Sequence, residues 1–319
     1  MALSPEAAAL MAEFAKSDGV PLEQMSVAEA RILSENLTSL GSPAVPVASS
    51  EDIALPVDGA NILLRILTPH GTPAGVLVFL HGGGWVIGSV NEWTAIGSHL
   101  ATAANCIVVL PEYRLAPEYR FPVPVEDCWA AVRWAAAKYD LPLLVGGDSA
   151  GGNLAAVMAL RARDRGAPRL AGQALIYPVT DYEPSRASFV ASENQQILTS
   201  AGMLWFWQHY VETPADRSHP DASPLRAATF DGLAPTYLLI AEHDVLKDEG
   251  AEFGDRLAAA GNILTRDMFD GETHGFMTLG NALPAAARAV ERVGAWARQV
   301  LSRSSLPKEQ GIPTAGSGG

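Results

Sequence analysis

The chain has 319 residues, 48% hydrophobic and 18% charged, enough to bury a large core as one α/β domain with an insertion or as two domains. Lys and Arg number 22 against 35 Asp and Glu, a net charge of −13, which excludes a typical phosphate-backbone binder and predicts no nucleic-acid partner. The two cysteines, Cys106 and Cys128, sit in apolar segments, so they read as core residues in a reducing compartment rather than as a disulfide framework.

The first residues, Met1 to Glu6, lack a basic start, and Glu13, Lys16 and Asp18 interrupt any apolar run. Neither a signal peptide nor a membrane anchor is expected, since no apolar run approaches the roughly 20 residues that span a bilayer. The expected location is the cytoplasm. Residues 1 to about 40 read as two helices broken near Gly19-Val20-Pro21. Ser4-Pro5 supplies an N-cap and a first-turn proline, and Ser26 with Glu29 three residues on forms a capping box. Pro43 to Pro46 marks a linker. Two alternating runs, 51–57 and 61–67, flank Asp58-Gly59-Ala60 and predict a hairpin.

From there the pattern alternates. Strand-like runs fall at 75–80, 106–110, 141–145, 172–177, 236–241 and 263–269, and helical patterns at about 92–104, 124–138, 152–165, 248–260 and 283–302. That alternation predicts an α/β fold, a mostly parallel sheet covered by helices on both faces. The stretch from Glu183 to about Arg226 breaks the rhythm. It carries an aromatic helix, Leu198 to Tyr210, and lies where a lid over the carboxyl edge of the sheet would be inserted.

Gly147-Asp148-Ser149-Ala150-Gly151 joins an apolar strand to a helical run. A serine on a sharp strand-to-helix turn, with glycine two residues away on each side, is a nucleophile elbow. The flanking glycines are needed because side chains there would collide where strand and helix approach. A serine hydroxyl needs a base to take its proton, and the base needs an acid to orient it. His274 follows the last strand-like run and is the candidate base; His209, His219 and His243 read as structural. Asp244 falls in the first turn after the run 236–241 and is the candidate acid, with Asp248 as the alternative. Asp248 and Glu249 read instead as the first turn of a helix, where the macrodipole favours them, and Asp270 and Glu272 as residues of the His274 loop.

Acyl transfer also needs donors for the oxyanion. His81-Gly82-Gly83-Gly84-Trp85 follows a strand, and its glycines leave backbone N–H groups open to a substrate. Ala150 N–H, next to the nucleophile, is the further donor. A phosphate loop fails on spacing, because a dinucleotide fingerprint from Gly82 would need glycine where Ile87 stands, and the Walker pattern needs lysine where Gly152 stands. No H-E-x-x-H motif or Cys/His cluster supports a metal.

Five ordered motifs, His81-Gly82-Gly83-Gly84-Trp85, Tyr113-Arg114-Leu115-Ala116-Pro117-Glu118, Gly147 to Asn153, Asp244 to Glu249 and His274-Gly275-Phe276, resemble the hormone-sensitive-lipase-like family of α/β-hydrolases. Within it they look like the bacterial carboxylesterases with the GDSAG nucleophile motif, and the similarity covers nearly the whole chain. The resemblance implies a Ser149, Asp244 and His274 triad and an oxyanion hole of Gly83, Gly84 and Ala150, with Gly82 as a further candidate. It implies a serine carboxylesterase acting on small esters of short to medium acyl chain, without cofactor or metal. Trp85, Trp205, Phe206 and Trp207 are candidates for lining the pocket. His81 is expected to pin its loop, and Arg114 and Glu118 to form a structural network beneath the site. The family arrangement gives N-terminal cap helices over 1–45, core over 46–182, a cap insertion over 183–226, core over 227–305 and a disordered tail over 306–319. Family members often dimerise, so a homodimer is compatible, though the sequence does not fix it. Two alternatives stay open: the same machinery on a lactone, carbamate or amide, or a non-hydrolytic binder like the plant gibberellin receptors. Those receptors lack the histidine that this chain keeps.

Overall fold

The computed structural model describes residues 2–16 and 19–304. The tail expected over 306–319 lies outside the described residues. Two capped helices open the chain. In α1 (Pro5–Phe14) the Ser4 hydroxyl accepts the Ala7 N–H, and in α2 (Val27–Leu37) Ser26 and Glu29 exchange bonds as the expected capping box. A short 3₁₀ turn, Leu22–Gln24, separates them. β1 (Ser49–Val57) and β2 (Ala60–Thr68) then form the expected antiparallel hairpin, its tight turn made possible by Gly59 at φ +73°.

The alternating part follows as β3 (Val76–Leu80), α3 (Val90–Ala104), β4 (Ile107–Pro111), α4 (Val123–Lys138), β5 (Leu143–Asp148), α5 (Ala150–Arg165) and β6 (Leu170–Ile176). After an excursion containing α6 (Ala187–Val190) and α7 (Ser200–Tyr210), it resumes with β7 (Thr236–His243), α8 (Lys247–Ala259), β8 (Leu264–Thr273) and α9 (Ala285–Ser304). The eight strands make one sheet in the order β1-β2-β4-β3-β5-β6-β7-β8, parallel from β4 to β8 and antiparallel at β1, β2 and the β2–β4 pairing. This strand order is the arrangement that the resemblance to the α/β-hydrolases implies.

The two-residue period of the strands sends alternate side chains into two separate cores. Val76, Val78 and Leu80 pack in one, with α4, α5 and α8; Leu77 and Phe79 pack in the other, with α3 and α9. Strand β8 runs further than the apolar run 263–269 suggests. It pairs Phe269 with Ala241 and, past a bulge, Thr273 with His243, so Asp270 and Glu272 belong to the strand rather than to a loop. Their polarity hid that extension from a hydrophobicity reading.

The excursion between β6 and β7 is clasped at its base. Arg226 Nε donates to Asp181 Oδ1 at 2.6 Å, and Arg186 Nη2 donates to Asp181 Oδ2 at 3.0 Å. Beneath this clasp Glu249 of α8 accepts the N–H groups of Thr180 at 2.7 Å and Asp181 at 3.2 Å. Burial outweighs both bonds and pushes the Glu249 carboxyl up to about 8. The folded state therefore keeps a proton that the unfolded chain releases near 4.5. That contribution to stability is complete below pH 4.5, is lost as pH rises, and is gone above pH 8. Relative to Glu249→Gln, which holds the neutral form at every pH, the native protein is expected to lose stability between these limits. The slope approaches about 1.4 kcal/mol per pH unit. Urea unfolding of both proteins from pH 5 to pH 9 measures it; a constant difference across the series would show that Glu249 does not titrate there.

Candidate active site

Ser149 occupies the turn between β5 and α5 at φ 55°, ψ −119°, a conformation that a non-glycine residue adopts only under strain of order 1–3 kcal/mol. Main-chain bonds hold it there: its N–H donates to the Ile176 carbonyl at 2.9 Å, and its carbonyl accepts Asn153 N–H at 3.0 Å and Val179 N–H at 3.2 Å. The flanking glycines have the steric reason foreseen. A Cβ on Gly147 would lie 2.4 Å from the Gly151 carbonyl, and one on Gly151 would lie 1.9 Å from the Leu80 carbonyl.

The ends of three strands converge on this serine. His274 directly follows β8 and places Nε2 2.8 Å from Ser149 Oγ. Its Nδ1 lies 2.7 Å from Oδ2 of Asp244, the residue directly after β7. The other Asp244 oxygen accepts Leu246 N–H at 2.9 Å, which fixes the carboxylate plane. A buried carboxylate at Nδ1 assigns the proton there, so the Nε2 lone pair faces the serine hydroxyl. The ring of Tyr177, itself at φ 35°, packs 4.8 Å from the imidazole.

The other histidines bond elsewhere. His209 Nδ1 donates to the Trp205 carbonyl at 2.8 Å, His219 Nδ1 accepts Asp221 N–H at 3.1 Å, and His243 Nδ1 lies 3.3 Å from the Glu193 carbonyl. Asp248, the alternative acid, stands in the first turn of α8 as read for it, and its carboxylate accepts Ser188 N–H at 2.7 Å. Among the described residues no group of three His, Cys, Asp or Glu side chains could hold a metal ion.

The glycine loop after β3 is a run of left-handed residues: Gly83 at φ 95°, Gly84 at 56° and Trp85 at 61°. Its turn closes on the Gly83 carbonyl, which accepts Val86 N–H at 3.0 Å and Ile87 N–H at 2.9 Å. The N–H groups of Gly83, Gly84 and Ala150 bond to no protein acceptor among the described residues. Gly82 differs, because its N–H donates to Asp148 Oδ1 at 3.0 Å and is not open to a substrate. That removes it from the candidate donors.

Asp148 has a larger part than its place in a motif suggested. The same Oδ1 accepts the Trp93 indole N–H at 2.7 Å, so one carboxylate ties the elbow to the glycine loop and to α3. Burial raises it to about 6 against these two donors. Nothing in the sequence marked Trp93 as its partner. His81 pins the loop as expected: its ring stacks on Tyr113 at 4.2 Å, and its Nδ1 donates to the Gly82 carbonyl at 2.8 Å. Burial pushes His81 down to about 4, which leaves it neutral. Tyr113 braces the same turn, donating its hydroxyl to the His81 carbonyl at 2.8 Å.

Two expectations need correction. Arg114 and Glu118 do not share a network: Arg114 forks onto Asp127 of α4 at 2.7 and 2.8 Å, whereas Glu118 pairs with Arg31 of α2. Three of the four aromatic candidates, Trp85, Trp205 and Trp207, pack into buried contacts. Trp85 is fully buried and stacks on Tyr210 at 4.0 Å, and Trp207 packs against both. Trp205 packs edge-on against Phe206 at 5.2 Å. Phe206 lies against the glycines of the loop, since a Cβ on Gly84 would lie 2.2 Å from its ring. A cleft of about 520 Å³ opens instead between α2, α3 and α9, lined in part by Leu37, Ile96, Ile197 and Met277. It reaches Gly275 beside His274 and Trp93 beside Asp148, but none of the four aromatics lines it.

Residues 77–278 match the family model described as alpha/beta hydrolase fold, and the chain belongs to the hormone-sensitive-lipase-like group of α/β-hydrolases. It is 34% identical to the ethyl acetate hydrolase of Pseudomonas putida over 305 residues, covering 90% of this chain and 95% of that protein. A carboxylesterase of Mycobacterium tuberculosis is 36% identical over 293 residues, 88% of this chain and 89% of the relative. Among solved structures, an ester-hydrolase from the metagenome of Lake Arreo, complexed with a bipyridine phosphonate derivative, superposes with a TM-score of 0.89 at 34% identity. That match covers 94% of this chain and 99% of the other. A hyperthermophilic esterase from the archaeon Pyrobaculum calidifontis gives a TM-score of 0.85 at 35% identity, covering 94% and 99%.

Proposed function

We propose that the chain is a serine carboxylesterase that cleaves short- to medium-chain carboxylic esters through an acyl-enzyme. The observation that carries this reading is the relay Ser149–His274–Asp244, at 2.8 and 2.7 Å, beside a loop with open N–H groups. His274 Nε2 takes the Ser149 proton as Oγ attacks the ester carbonyl, and Asp244 stabilises the imidazolium that forms. Gly83, Gly84 and Ala150 donate to the oxyanion of the tetrahedral intermediate, each such donor lowering the barrier by about 3 kcal/mol. The proton returns from His274 to the leaving alkoxide. Water, activated by the same nitrogen, then attacks the acyl-enzyme and restores Ser149 with release of the acid. Each step uses the chain's own groups and calls for no cofactor.

The segments 1–45 and 183–226 form the cap over this site in our reading. Contact of α7 with the Leu22–Gln24 turn, and of Phe206 with Gly84, supports it. Phe206 is the pocket residue we retain from the aromatic set. The ethyl acetate hydrolase relative favours a short acyl chain. A cytoplasmic location fits the two free, buried cysteines, and among the described residues no helix is long and apolar enough to cross a membrane. A homodimer could pair through an outer edge of the sheet, β1 or β8, which end the strand order.

A panel of p-nitrophenyl esters from acetate to dodecanoate, run beside a γ-lactone, a carbamate and an anilide, tests the substrate class. The expected result is the highest kcat/KM on acetate or butanoate, about tenfold or more above the dodecanoate and 10³-fold above the anilide. A lactone or carbamate turned over faster than every ester would overturn the reading.

A further inference from the structure

Arg31 lies on α2, yet its guanidinium directs its donors into the α/β core. Nε donates to the Val86 carbonyl at 3.0 Å, and Nη2 donates to the Ala116 carbonyl at 3.1 Å. Glu118 aligns the fork with both oxygens, accepting from Nη1 at 2.8 Å and from Nη2 at 2.7 Å. A planar five-donor group suits this task, and an ammonium could not reach both carbonyls at once.

The two carbonyls bracket one residue. Val86 follows Trp85 directly, and Ala116 N–H donates to the Trp85 carbonyl at 2.9 Å. Trp85 ends the left-handed run Gly83-Gly84-Trp85, and a tryptophan at φ 61° persists only where its surroundings over-determine it. Upstream, the run is anchored by the bond from Gly82 to Asp148. Downstream, the Trp85 ring is clamped on Tyr210 of α7, and the backbone is held through Arg31. A helix of the insertion thus holds the Trp85 ring, and a helix of the N-terminal segment holds the backbone on either side of it through Val86 and Ala116.

We propose that Arg31 is a positioning residue for the oxyanion loop: by holding the Val86 and Ala116 carbonyls it fixes the downstream end of the turn that aims the Gly83 and Gly84 N–H groups. The inference rests on ester hydrolysis with those groups as oxyanion donors. A partly exposed Arg–Glu pair that merely seated α2 would contribute little to stability and nothing selective to the transition state. Misaimed donors, by contrast, weaken the tetrahedral state while leaving substrate binding intact.

Arg31→Met, Arg31→Lys and Glu118→Gln separate these roles when assayed with p-nitrophenyl butanoate and with butylboronic acid, which forms a tetrahedral adduct on an active serine. For Arg31→Met, kcat is expected to fall about 10- to 100-fold with KM within roughly threefold, and the boronate Ki to rise by the factor that kcat/KM falls. Glu118→Gln leaves one oxygen to align the fork and should lower kcat by less than Arg31→Met does, since Arg31 keeps its own bonds to the carbonyls. If Arg31→Met does not fold, Arg31→Lys carries the test, with an expected loss in kcat of about fivefold or more. A rise in KM with kcat and boronate Ki unchanged would overturn the proposal, as would kcat within twofold of the native value in the folded Arg31 variant. Failure of the esterase reading would look different: the native protein itself would hydrolyse no ester and ignore the boronate.

Discussion

Replacing Ser149 with alanine is expected to lower kcat for a short ester by roughly 10⁴- to 10⁶-fold while the fold and KM stay close to native. The argument is geometric. Ser149 Oγ is held 2.8 Å from His274 Nε2, and the backbone that presents it is fixed by bonds to Ile176, Asn153 and Val179 that alanine keeps. Only the hydroxyl is lost, and it is the atom that forms the acyl bond. His274→Ala should cost about as much, because a serine without its base is no better than water. The double variant should cost no more than either single change, since residues that act as one unit are strongly non-additive. Residual hydrolysis of about 10³-fold over the uncatalysed rate would then come from the oxyanion donors and binding alone. Steady-state kinetics on the purified variants, with circular dichroism to confirm folding, checks each figure.

Gly151→Ala should be the most damaging substitution in the core. The added Cβ would sit 1.9 Å from the Leu80 carbonyl and 2.6 Å from that of His81, both main-chain atoms. Leu80 is paired with Gly147 in the β3–β5 ladder, so neither strand can retreat without breaking the sheet beneath the elbow. Overpacking against a backbone with no freedom to move is expected to cost about 3 kcal/mol or more, and activity with it. Gly250→Ala in α8 is the control. There the nearest atoms to a new Cβ lie 4.0 Å away, and alanine should leave stability unchanged or raise it by up to about 1 kcal/mol. Urea unfolding curves compare the two; equal stabilities would mean that the elbow is not as tightly closed as its geometry requires.

The parts of the site that the sequence made legible are those written in local rules. Glycine two residues either side of Ser149 reflects contacts of only a few ångströms, and His274 and Asp244 stand out because each follows a strand-like run. Helix caps and the β1–β2 hairpin obey the same short-range logic. What escaped notice depends on partners far apart along the chain. Arg31 reaches Glu118 across 87 residues, and Trp93 reaches Asp148 across 55. Glu249 read as an ordinary first-turn acid, because nothing local says that the segment before the insertion folds over it and buries it. The tryptophans of the glycine loop and of α7 misled for a related reason. Large apolar rings in an insertion suit a pocket wall or a cap–core contact equally well, and the stacking of Trp85 on Tyr210 decides for contact.

The most direct test of the account is covalent. The native protein should react with a fluorophosphonate to one adduct per chain, mapped by peptide mass spectrometry to Ser149, with ester hydrolysis lost in proportion to labelling. Ser149→Ala should take up no label under the same conditions. An unlabelled native protein that still hydrolyses esters, or an adduct on another residue that accounts for the lost activity, would contradict it.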